Sequence, residues 1–116
     1  MTFIITGGSS GIGQALARSL ADRNKEVLIC ARREAPLKRL VEYAPNYIRY
    51  VAGDLTEDNT LNKIQEALNG LQPEGLIQNA GQIGPIMPIA SMSISAYEKN
   101  HSINVTTPIR LFQRLE

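Results

Sequence analysis

Four short apolar runs alternate along the chain with longer stretches of helical periodicity, and this order narrows the fold more than any other feature. The runs are Thr2 to Thr6, Glu26 to Cys30, Tyr47 to Ala52 and Gly75 to Gln78, each rich in Ile, Val, Leu or Tyr and each ended by turn residues. Runs of this length and composition read as strands, and all four read as buried. Between them Ile12, Ala15, Leu16 and Leu20 share one helical face, as do Leu37, Leu40 and Val41, and then Leu61, Ile64, Ala67 and Leu68. Strand and helix in strict alternation predict parallel strands joined by crossover helices, a sheet covered on both faces. The third helix is expected to start behind a capping Thr56 hydroxyl, with Glu57 and Asp58 at the positive end of its dipole, and to stop at Asn69-Gly70. A last helix is expected from about Ser95 onward.

With 116 residues, 43% hydrophobic and 20% charged, there is room for one domain and not two. Twelve basic against eleven acidic residues leave a formal net charge of +1, so no whole-molecule field argues for nucleic acid or an anionic membrane as partner. The single cysteine, Cys30, has no disulfide partner within the chain and lies in an apolar run, where it reads as a small buried hydrophobe suited to a reducing cytoplasm. Phe3-Ile4-Ile5, turning at Gly7, does not read as a signal peptide, and nothing approaches the ~20 apolar residues of a membrane helix. No metal site is expected.

The strongest chemical signal is Thr6-Gly7-Gly8-Ser9-Ser10-Gly11-Ile12-Gly13, placed between the first strand and the first helix. A pyrophosphate needs unpaired amide hydrogens at a helix start and backbone close enough to touch it, and glycine permits both. Gly7 is expected to make the turn, Gly11 the approach, and Gly13 the close packing of helix on strand. The spacing is G-x-x-x-G-x-G, which differs from G-x-G-x-x-G and lacks the lysine of a nucleoside-triphosphate loop.

T-G-x-x-x-G-I-G after an amino-terminal strand resembles the short-chain dehydrogenase/reductase family. Further landmarks of the family follow in order: Gly53-Asp54-Leu55 after the third strand, Asn79-Ala80-Gly81 after the fourth, and Asn104 beyond. The resemblance implies a partial Rossmann, doubly wound α/β fold with sheet order 3-2-1-4. It further implies that Ser9, Ser10 and Ile12 line the phosphates, that Asp54 and Leu55 approach the adenine, and that Asn79, Ala80 and Gly81 border the nicotinamide ribose. Gln78 departs from the family's usual asparagine, which puts one sheet-stabilising hydrogen bond in doubt.

The end of the second strand bears on the choice of cofactor. An acidic residue there would accept from the ribose 2'-hydroxyl and repel a phosphate, but the sequence reads Ala31-Arg32-Arg33. Guanidinium groups match a phosphate with paired, charge-assisted hydrogen bonds, which favours NADP(H) over NAD(H). Two alternatives stay open: Arg32 and Arg33 as a solvated loop, and Glu34 as a partner for a free hydroxyl.

Pro108 has no amide hydrogen and within a helix would free the carbonyl of Asn104. In the family that asparagine's main chain holds a water of the proton relay, so Asn104 is the expected catalytic residue, and His101 is given no role. The family's acid is a tyrosine assisted by a lysine four residues later. Here Tyr43, Tyr47, Tyr50 and Tyr97 precede Tyr47, Val51, Asp54 and His101 at that spacing, so the pair does not occur. The expectation is a cofactor-binding half of an NADP(H)-dependent carbonyl reductase or alcohol dehydrogenase, residues 1–116 forming one truncated dinucleotide-binding domain that is inactive alone. Its fourth strand would be an open edge and its last helix an apolar face, which predicts a homo-oligomer. The competing readings are a nucleotide-binding module without catalysis and an assembly module.

Overall fold

The strand-helix alternation folds as β1 (Thr2–Thr6), α1 (Gly11–Asp22), β2 (Glu26–Ala31), α2 (Glu34–Tyr43), β3 (Ile48–Ala52), α3 (Asp58–Leu68), β4 (Gly75–Gln78), α4 (Ile94–His101) and α5 (Thr107–Leu115). This computed structural model describes residues 2–7, 11–70, 73–78, 93–101 and 107–115. β2 runs one residue further than expected and β3 starts one residue later. The final helical stretch is described as α4 and α5, and residues 102–106 lie outside the described residues.

The strands form one parallel sheet in the order β3-β2-β1-β4. Ile4 pairs with Leu28 on one side and Leu76 on the other, and Leu28 pairs onward with Arg49. Side chains alternate across such a sheet, and two apolar layers result. On one face Ile5, Val27, Ile29 and Ile48 pack with Ala17 and Ala21 of α1 and with Leu37 and Leu40 of α2. On the other, Ile4, Leu28, Cys30 and Val51 meet Leu61, Ile64 and Leu68 of α3 and Leu111 of α5. Continuous burial holds for Ile4 to Thr6 of β1 and Val27 to Ala31 of β2, whereas in β3 Arg49 is exposed between buried Ile48 and Val51, and Gly75 to Ile77 of β4 are half-buried. Both are outer strands of the described sheet.

Two local expectations are corrected. Ile12 and Ala15 do not face the sheet; Ile12 is 71% exposed, and the buried residues of α1 are Gly13, Ala17 and Ala21, with Leu16 and Leu20 packed beside them. The smallest side chains face the strands because they let the helix axis approach closely, which the larger apolar residues of the same helix do not. Nor does Thr56 cap α3. The N-cap position is Glu57 and makes no side-chain cap bond, while the Thr56 hydroxyl donates to Asp54 Oδ1 at 2.7 Å. At the other end Asn69, at φ +54°, closes α3 in the left-handed conformation.

Candidate functional site

All four strands run the same way, so their carboxyl ends lie along one edge of the sheet. Thr6 stands beside Cys30 and Gln78, and Ala31 beside Ala52. The chain winds from β1 toward β2 and β3 on one side and returns to β4 on the other, so the direction of winding reverses between β1 and β4. Crevices at such a reversal are where doubly wound sheets take their ligands.

Gly7 leaves β1 with its amide donating to the Cys30 carbonyl at 2.8 Å, then turns at φ +74°. Gly11 enters α1 at φ +60°, and a Cβ built there meets nothing within 4 Å. Both positions require the left-handed region, and the space at Gly11 stays open for a backbone-hugging ligand. The first turn of α1 carries no acidic residue, so its unpaired amides and positive dipole end suit an anion. Ile12 projects from that turn largely exposed and Gly13 is buried. Ser9 and Ser10 lie outside the described residues.

Next to this turn β2 ends at Ala31, and Arg32 and Arg33 follow, both exposed. Arg33 occupies the N-cap position of α2 with extended backbone. The Glu34 carboxylate pairs with Lys38 one helical turn on at 2.9 Å. Lys38 holds the Glu34 carboxyl below its usual range. The Glu-to-Lys spacing of four residues is legible in a sequence.

Gly53 follows β3, its amide donating to Ala31 O at 2.9 Å. Asp54 Oδ1 accepts from the Thr56 amide at 2.9 Å and the Thr56 hydroxyl at 2.7 Å, and Leu55 packs against the second apolar layer. Asn79, Ala80, Gly81 and Asn104 lie outside the described residues, and His101 is exposed on α4. Among the described residues no three His, Cys, Asp or Glu side chains group to hold a metal, and no helix is long and apolar enough to cross a membrane.

The structure thus brings together, on adjacent strand ends, a glycine turn at a helix start, two exposed guanidinium groups and a tethered carboxylate. That arrangement on a parallel sheet with helices on both faces defines a Rossmann-like α/β protein. The family model described as short chain dehydrogenase matches residues 1–115, and the chain belongs to that family. It is 33% identical over 112 residues to the Saccharomyces cerevisiae oxidoreductase YIR035C, covering 93% of this chain and 44% of the relative. The crystal structure of that yeast protein superposes with a TM-score of 0.87, covering 97% of this chain and 46% of the yeast chain. A benzil reductase of Bacillus subtilis is 28% identical over 114 residues, covering 96% of this chain and 46% of its own length. A short-chain dehydrogenase/reductase of Burkholderia multivorans, solved with bound NADP, is 26% identical with a TM-score of 0.86, covering 98% of this chain and 52% of that structure's chain. The chain therefore spans about half the length of the relatives it matches.

Proposed function

We propose that residues 1–116 form the dinucleotide-binding domain of an NADP(H)-dependent oxidoreductase that reduces a carbonyl or oxidises an alcohol. The observation that carries this reading is that Gly7, turning at positive φ as β1 ends, donates to Cys30 at the paired end of β2, which Arg32 and Arg33 follow. The residues fit the ligand. The open backbone at Gly11 and the first turn of α1 suit the pyrophosphate, with Ser9, Ser10, Ile12 and Gly13 beside it. Arg32 and Arg33 grip a ribose 2'-phosphate, and Asp54 and Leu55 meet the adenine. Asn79, Ala80 and Gly81 border the nicotinamide ribose, and Asn104 holds a water for proton delivery.

Once bound, the nicotinamide supplies or accepts a hydride. The ion pair of Glu34 with Lys38 supports the phosphate over the free hydroxyl, since the carboxylate that follows the two arginines already has a cationic partner. The NADP bound to the Burkholderia multivorans relative points the same way. Lacking a Tyr-x-x-x-Lys pair, the 116 residues alone bind cofactor without turning over substrate.

Titration of the chain with NADPH and NADH tests the reading. A charge-assisted hydrogen bond is worth ~1.5–3 kcal/mol, about tenfold to a hundredfold in affinity. Arg32→Ala is therefore expected to weaken NADPH at least about tenfold and leave NADH unchanged. Equal loss of both cofactors rejects the phosphate assignment; binding of neither by the unaltered chain rejects the function.

A further inference from the structure

The short loop that carries Asp54 is tied down from several directions, and one tie comes from the far end of the chain. Within the loop, Thr56 fixes Asp54 through two hydrogen bonds to a single carboxylate oxygen. Behind it the loop lies directly on α3, where a Cβ built on Gly53 would stand 2.5 Å from the Oγ1 of buried Thr60. The third contact is Arg110 of α5. Its Nη1 donates to the Thr56 carbonyl at 3.0 Å, and its Nη2 pairs with the Asp58 carboxylate in the first turn of α3. A planar guanidinium that bridges a backbone carbonyl and a carboxylate two residues on fixes the exit of the loop relative to the helix, which a single point charge does not.

Arg114, one turn further along α5, provides an internal contrast. It donates to Asn62 Oδ1 and Gln65 Oε1, both at 2.7 Å, and lies 3.7 Å from Asp58. Among the described residues its partners all belong to α3 and none to the loop. Both arginines hold α5 against α3, but Arg110 alone of the two reaches the residue that orients Asp54.

We propose that Arg110 is a positioning residue of the dinucleotide site: by anchoring Thr56 it holds Asp54 where its carboxylate accepts from the exocyclic amine of adenine. The inference rests on the dinucleotide reading given above. A carboxylate has acceptor sites enough to take the Thr56 bonds and a further donor. Coupling between sites is reciprocal, so docking of α5 and binding of the adenine end strengthen each other.

The test uses the whole 116-residue chain and two probes that differ at one edge of the purine, NADPH with its exocyclic amine and its hypoxanthine analogue, which carries a carbonyl there and an N–H at N1. The unaltered chain is expected to prefer NADPH. Arg110→Ala should weaken NADPH about fivefold or more and leave the hypoxanthine analogue nearly unchanged, so that the preference collapses. Arg110→Lys, which keeps the charge beside Asp58 but not the fork, should recover part of it. Arg114→Ala should lower the melting temperature while the preference stays intact.

An unchanged preference in Arg110→Ala overturns the inference, as does an equal collapse in Arg114→Ala, which would mean that any loosening of α5 suffices. If Arg110→Ala does not fold, Thr56→Val decides instead: it removes the hydroxyl bond to Asp54 and should diminish the same preference, and no change overturns the proposal. Failure of the unaltered chain to bind either probe removes the function and the inference together, whereas binding with no preference between the probes removes the inference alone.

Discussion

Cys30 shows how much one buried side chain decides. It is fully buried in β2 between Thr6 and Val51, and loss of hydration pushes its thiol from 9.0 up to about 12. Such a thiol is neutral at physiological pH and has no nucleophilic role. The same shift acts on stability at alkaline pH. Between 9.0 and about 12 the unfolded chain releases a proton that the folded chain retains, so stability is full below pH 9 and falls as pH rises. The slope from this group approaches ~1.4 kcal/mol per pH unit. Urea unfolding from pH 8 to 11 should therefore decline less steeply for Cys30→Ala than for the unaltered chain. The offset between the two curves reflects the methyl-sized hole; only the difference in slope reports the thiol, and parallel curves would show that it is not held neutral by burial. The sequence context of Cys30, an apolar run in a buried strand, was sufficient to foresee this burial. The engagement of Glu34 was legible as well, because Lys38 stands at helical spacing.

At the level of elements, α5 is held to α3 by the deeply buried Leu111 and by the polar contacts of Arg110 and Arg114. Leu111 is 1% exposed and joins the layer formed by Ile4, Leu28, Leu61 and Ile64, whereas Ile109 on the same helix is 54% exposed. Truncating a buried leucine removes its transfer free energy and leaves a cavity, so Leu111→Ala should cost about 2–5 kcal/mol in chemical denaturation. Ile109→Ala should stay within about 0.5 kcal/mol in the monomeric chain. Comparable losses for the two variants would mean that α5 does not dock through this face. Strands and crossover helices could be read from the chain because their apolar periods are strong and their boundaries carry Gly, Asn or charged residues. Two details resisted. In α1 the apolar side chains indicated the inner face only in part: Leu16 and Leu20 pack on the core, but the sheet selected Gly13, Ala17 and Ala21 for closeness and left Ile12 outside. At α3 the pattern of Thr56 before two acidic residues matched a cap, but the hydroxyl had a nearer acceptor in Asp54. The Arg110 bridge joins residues more than fifty positions apart, and no local spacing encodes such a contact.

For the whole molecule, the sheet order 3-2-1-4 was legible through the resemblance to the short-chain dehydrogenase/reductase family, and the observed order β3-β2-β1-β4 agrees with it. The same architecture bears on assembly. β4 forms one edge of the described sheet, and Ile94 on α4 and Ile109 on α5 are 70% and 54% exposed. Burying one such isoleucine is worth about 1.5–3 kcal/mol, and a two-fold interface uses every contact twice. The opposing electrostatic term is small, because each copy carries a formal charge of only +1 and physiological salt screens it beyond ~8 Å. Apolar gain on a doubled surface, against weak repulsion, favours self-association. We therefore expect a dimer or larger assembly by light scattering at micromolar concentration, and Ile109→Glu should shift it toward monomer because the interface would then have to desolvate two like charges. That variant should bind NADPH as the unaltered chain does, since Ile109 has no place among the proposed cofactor contacts. A monodisperse monomer before any substitution would show that the exposed isoleucines do not drive association.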